Sequence, residues 1–217
     1  MHRLALRLFV YRREDLRSMS EHEIPQRKLR AFIALKTPAV WDEKLAALQR
    51  ELKSKFGSSA FRWVKPEQIH ITLRFFGWLT TTEAEQVRPL LAVIAAGHPG
   101  FTLTCENLGA FPNMRRPRVL WAGLKGDLER AGALQAAIRS TTQQFGEAPE
   151  DRPFKPHLTL ARLKEPGRRE IADLEHVVAL GFGIEEPWIV TELLFMQSHL
   201  SPQGSTYETL AKFPLGA

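Results

Sequence analysis

The sequence predicts an α+β fold: a single bilobal domain built by pseudo-two-fold duplication, with two antiparallel-rich sheets lining a central cleft and helices on the outside. Three observations lead there. The tetrapeptide His-x-Thr-Leu occurs twice, at His70-Ile71-Thr72-Leu73 and at His157-Leu158-Thr159-Leu160. Around each copy the pattern reads strand, helix, motif strand, helix, strand. The 217 residues, 44% of them hydrophobic, can bury one large core or two small ones sharing an interface.

Residues 1–28 stand apart as an N-terminal extension. MHRLALRLFVYRRED is Arg-rich and free of acids until Glu14, as in mitochondrial presequences, and Arg7 interrupts the apolar run too soon for a secretory signal. The extension reads as a mobile tail or as sequence ahead of a translation start at Met19.

The remaining elements follow in order. LRAFIAL (29–35) is a buried strand; Thr37 then caps a helix with Pro38 at its first position, ending at Gly57. IHITLRFFGWL is a strand, and Thr82-x-x-Glu85 is a capping box for a helix over 83–97. FTLTCENL (101–108) alternates as a further strand. RPRVLWAGL (116–124) restarts the cycle, with a helix near 127–145, a strand around HLTLAR, a helix near 168–180 and a strand over PWIVTELLFMQSHL. SPQG (201–204) turns into a last strand, TYETLAKFPL. The repeat halves span about 29–110 and 116–217 of one domain, 29–217.

Composition narrows the function classes. The net charge of +6 is concentrated at the start: residues 1–30 carry eight basic side chains against four acidic ones, leaving 22 against 20 in the rest. Global charge is thus weak support for nucleic-acid binding, and local clusters such as Arg115-Arg116-Pro117-Arg118 have to carry any such case. The single cysteine, Cys105, permits no intramolecular disulfide and reads as a small core residue, pointing to a reducing, cytoplasmic setting. No apolar run approaches the roughly 20 residues that span a bilayer. A Gly-x-x-x-x-Gly-Lys-Ser/Thr phosphate loop is absent, and each motif offers one His without Cys, Asp or Glu at ligand spacing, so no metal site is expected.

Strand parity gives the motif its chemistry. Alternation turns His70, Thr72 and Arg74 to one face, and His157 with Thr159 to one face of the second strand. Each motif then offers an imidazole and a hydroxyl about 7 Å apart. Two imidazoles around one centre suit a reaction in which one group takes a proton as another gives one, and in-line attack at phosphorus is such a reaction. The threonines would donate to the non-bridging oxygens.

These residues resemble the two-histidine (2H) phosphoesterases, and among them the RNA 2′,3′-cyclic phosphodiesterases, also called 2′-5′ RNA ligases. The resemblance covers about residues 29–215 and extends to RAFIALKTP, RWVKPEQIHITLRFFG, RPRVLWAGL, FKPHLTLAR and LSPQGSTYETLAKFPL. It implies hydrolysis of RNA 2′,3′-cyclic phosphate ends to 2′-phosphomonoesters without metal or other cofactor, with weak 2′-5′ ligation in reverse. His70 and His157 would be the catalytic pair. The two motifs are near-symmetric and leave open which is acid and which is base; we take His70 as acid to the departing 3′ oxygen and His157 as base to water. Thr72, Thr159 and Arg162 would hold the phosphate. By parity Arg162 falls with Leu158 and Leu160, so a strand end or a β-bulge has to turn it toward the histidines. Arg74, Arg118 and Phe154, with Trp63 and Trp121, are candidates for contacting RNA. The alternatives are a phosphodiesterase for other small cyclic phosphates or 2′-5′ oligonucleotides, and a non-catalytic RNA-binding module. A monomer is expected.

Overall fold

Alternation in KLRAFIALK sets the first layer of the fold. In a computed structural model that describes residues 27–56, 61–149, 151–164, 166–202 and 204–216, Lys28–Lys36 form β1. Its odd positions Ala31, Ile33 and Leu35 are fully buried, while Arg30, Phe32, Ala34 and Lys36 share the opposite face. The readings of residues 1–26, Met19 and Gly57 lie outside the described residues.

The chain continues through α1 (Ala39–Phe56), β2 (Phe61–Trp63), a 3₁₀ turn at Pro66–Gln68, β3 (His70–Thr80), α2 (Thr81–Ala96), β4 (Phe101–Phe111), β5 (Val119–Gly126) and α3 (Leu128–Thr141). It closes with β6 (His157–Leu163), α4 (Arg168–Leu180), β7 (Gly183–Val190), β8 (Glu192–Ser201) and β9 (Gly204–Pro214). Two antiparallel sheets result, β3-β1-β8-β9 and β2-β6-β5-β4-β7.

The strands exchange between the halves. β4 ends the first half of the sequence yet pairs with β5 in the second sheet, and β8–β9 end the second half yet complete the first sheet. Helices follow suit. α2 and α3 lie against the first sheet, where Gln135 donates to Leu73 O; α1 lies against the second, where Gln49 donates to Leu160 O and Trp41 to Glu186 O. Apolar residues at helical spacing, Trp41, Leu45, Leu48 and Leu52 on α1 and Ala84, Val87, Leu91 and Ile94 on α2, bury those faces. A fully buried Leu or Ile there contributes roughly 1.5–3 kcal/mol.

Three expectations are corrected. The helix after β3 starts two residues earlier than its expected box, with Thr80 and Glu83 forming the reciprocal capping pair. Pro38 caps α1 rather than beginning it, accepting from the amides of Trp41 and Asp42. PWIVTELLFMQSHL is two strands: the chain breaks at Thr191, and β7 and β8 belong to different sheets. Cys105 is buried in β4 with its thiol pushed up to about 12 by that burial, in keeping with a packing role.

Candidate active site

Both motif histidines begin their strands, and both are fixed by the same local device. His70 Nδ1 lies 2.7 Å from Gln68 O and His157 Nδ1 lies 2.7 Å from Lys155 O, each two residues upstream. A carbonyl only accepts, so Nδ1 carries the proton in both rings and Nε2 is left free to take or give one. Side chains from both sheets enclose a shared cavity of about 390 Å³ that includes His70, Thr72, His157, Thr159 and Arg162.

The rings differ in their surroundings. Phe32 stacks on His70 at 4.9 Å and Tyr207 meets it edge-on at 5.3 Å. Desolvation by this enclosure lowers the His70 pKa to about 4, with Lys36 and His157 pushing in the same direction against the Gln68 carbonyl. His157 is lowered too, first by burial and then by Arg162, while the Lys155 carbonyl opposes. Phe111 meets His157 edge-on at 4.9 Å and lies 5.2 Å from Trp121. That indole lies flat on the strands because Gly109 opposite it has no Cβ; one added there would come within 2.3 Å of the ring.

β-Bulges decide where the arginines go. On β6 the pairing with β5 runs Trp121 with Thr159 and then Leu120 with Ala161, leaving Leu160 as an extra residue. The bulge restores Arg162 to the face of His157 and Thr159, as the parity conflict requires. On β3 the pairing with β1 skips Leu73, and the same device turns Arg74 away from His70 and Thr72. Arg74 as an RNA contact is therefore corrected: it is buried, and its Nη2 donates to the carbonyls of Thr142, Phe145 and Glu147 just beyond α3. Thr142 is the C-cap of α3, so its carbonyl lies at the negative end of that helix and attracts a cation.

The other RNA candidates also fall outside the cavity. Phe154 packs against the core, Arg118 is exposed ahead of β5, and Trp63 stacks on Phe61 on the helix side of the sheet. Trp121 shares the face of Thr159, half-buried.

Sequence reasoning missed several lining residues: Arg30, Phe32, Phe75, Ser198 and Tyr207. The period-two pattern Arg30, Phe32, Ala34, Lys36 was the available signal for two of them. Ser198 arrives on β8, which pairs with β1, and Tyr207 on β9 beyond it; Ser198 lies 168 residues from its partner Arg30, and neither carries a local signal. Among the described residues, no three His, Cys, Asp or Glu side chains gather around one point.

Two sheets presenting paired histidines and threonines to one cavity define the two-histidine phosphoesterase class. The model of the family described as LigT like Phosphoesterase matches residues 35–121 and 125–207, and the chain belongs to that family. It is 32% identical to the RNA 2′,3′-cyclic phosphodiesterase of Archaeoglobus fulgidus over 188 residues, 85% of this chain and 99% of that one. It is also 32% identical to the protein of the same name from Thermus thermophilus over 191 residues, 86% and 90% of the two chains. Among solved structures, one from Thermus thermophilus superposes with a TM-score of 0.71 at 27% identity, covering 86% of this chain and 98% of that one. Escherichia coli LigT complexed with 3′-AMP superposes with a TM-score of 0.67 at 26% identity, covering 88% and 100%.

Proposed function

We propose that this chain opens the 2′,3′-cyclic phosphate ends of RNA to 2′-phosphomonoesters, with His70 and His157 as the acid/base pair and no metal. The observation that carries this reading is the pair of imidazoles whose Nδ1 atoms are held by backbone carbonyls, leaving two Nε2 atoms for one cavity. The names of the relatives support the substrate class.

In the reaction, water attacks phosphorus as its proton passes to one imidazole. The P–O3′ bond opposite breaks, and the other imidazole gives its proton to O3′. Charge grows on the non-bridging oxygens, to which Thr72, Thr159 and Arg162 donate. Where a 5′-hydroxyl replaces water, the same displacement of O3′ leaves a 2′–5′ linkage.

Burial supports one division of the roles. With a pKa near 4, His70 is neutral at physiological pH and suited to taking the proton of water. His157, the less enclosed ring, then serves as acid to O3′. This reverses the assignment taken from the sequence. An oligoribonucleotide ending in a 2′,3′-cyclic phosphate, incubated with the protein in EDTA and followed by ³¹P NMR, tests the proposal: a 2′-monophosphate is expected, and loss of turnover in EDTA or a 3′-monophosphate product would overturn it.

A further inference from the structure

The cleft has two ends, and their cations are deployed differently. At the His70 end, Lys36 is paired with Asp42 at 2.7 Å and Lys212 with Glu192 at 3.2 Å, so that end is charge-balanced. At the far end stand Lys28, Arg30, Arg62 and Arg162, and none of the four makes an ion pair among the described residues.

That end also exposes aromatic surface. After the bulge at Leu73, a second bulge at Phe76, with Gly77 at φ +66°, brings Trp78 opposite Arg30 on the cleft face of β3. Trp78 is 55% exposed, the largest side chain left in that state among the described residues. Leu200, 62% exposed, follows Ser198 by two residues on the same face of β8. Arg30 bonds Ser198 Oγ at 3.1 Å and stacks over Phe75 at 4.3 Å, which holds its guanidinium upright in the cleft. From the facing sheet, Arg62 pairs in register with Arg162 on the same face.

We propose that this outer end, Trp78 with Lys28, Arg30 and Arg62, is a platform for the single-stranded nucleotides upstream of the cyclic end. An exposed indole among unpaired cations suits single-stranded nucleic acid, because every base has a face to stack and every linkage a charge to neutralise. A chain whose 3′ terminus lies between the histidines can leave only in its 5′ direction, and unpaired cations draw it past Arg162 rather than toward the balanced end. From Thr72 to Trp78 the strand covers roughly 15 Å, room for several nucleotides. The enzyme therefore favours oligonucleotides over mononucleotides. This inference rests on the hydrolytic reading above.

The test compares a hexaribonucleotide ending in a 2′,3′-cyclic phosphate with a nucleoside 2′,3′-cyclic monophosphate. In parallel, fluorescence anisotropy reads binding of a 5′-labelled hexamer ending in a 2′-phosphate. The hexamer is expected to have the higher kcat/KM by about tenfold or more, and Trp78→Ala to lower that preference about tenfold, with Trp78→Phe restoring part of it. Arg62→Ala is expected to reduce the salt slope of hexamer binding by about one. Equal kcat/KM for the two substrates, or hexamer binding indifferent to Trp78→Ala, would overturn the platform. So would a Trp78→Ala effect confined to self-association in sedimentation, which would make the surface a contact between copies. The binding arm needs no turnover, so it fails separately from the hydrolytic reading.

Discussion

Arg162 on β6 and Phe75 on β3 occupy equivalent places: each lies five residues beyond its motif histidine, past a one-residue bulge, on the face that lines the cleft. One half of the cavity thus presents a guanidinium directly, and the other presents a ring that supports the guanidinium of Arg30. Arg162→Ala is expected to lower kcat/KM by about 10²-fold, and Arg162→Lys to recover only part, because a single ammonium cannot reproduce a planar fork on phosphate oxygens. Steady-state kinetics on a cyclic-phosphate substrate check this.

Arg74 makes the opposite case. Its guanidinium serves three backbone carbonyls beyond α3, so Arg74→Ala should destabilise the fold by about 3 kcal/mol while leaving KM near the wild-type value. Urea unfolding measures the first and initial rates the second. A rise in KM without loss of stability would return Arg74 to the cleft.

The enclosure of His70 sets the pH dependence. In the proposed division of roles His70 must be unprotonated and His157 protonated, so kcat/KM should fall below about pH 4 and fall again above the pKa of His157, which lies under its ordinary 6.5. An acidic optimum follows. Phe32→Leu removes the stacked ring and should raise the His70 pKa toward 6.5, read directly by NMR titration of the imidazole.

Replacing O3′ by sulfur tests the division of labour, because a thiolate leaves without a proton. A 3′-thio cyclic phosphate should recover most of the rate lost in His157→Ala and none of that lost in His70→Ala. Recovery in His70→Ala instead would restore the opposite assignment.

The motif strands, the α+β class and the cleft between two sheets were legible in the sequence because period two and the repeated His-x-Thr-Leu are local signals. The bulges at Leu73 and Leu160 were not, since a bulge is set by the partner strand's register; parity alone placed Arg74 in the cleft and Arg162 out of it, the reverse of what the pairing does. The conflict over Arg162 was nonetheless a usable sign that a bulge was required. Thr191 gave no warning that one apolar run divides between two sheets, because both flanking stretches favour strand equally. Phe154 and Trp63 lie outside the cavity, and the sequence could not show this: an aromatic beside a motif reads alike whether it faces the cleft or the core.

The most direct test of the paired-histidine site is hydrolysis of an RNA 2′,3′-cyclic phosphate in EDTA by the wild-type protein, His70→Ala and His157→Ala. Each substitution alone should cost at least about 10³-fold in kcat, and the double variant little more, because the two rings act in one step. Turnover within tenfold of wild type in either single variant would contradict it.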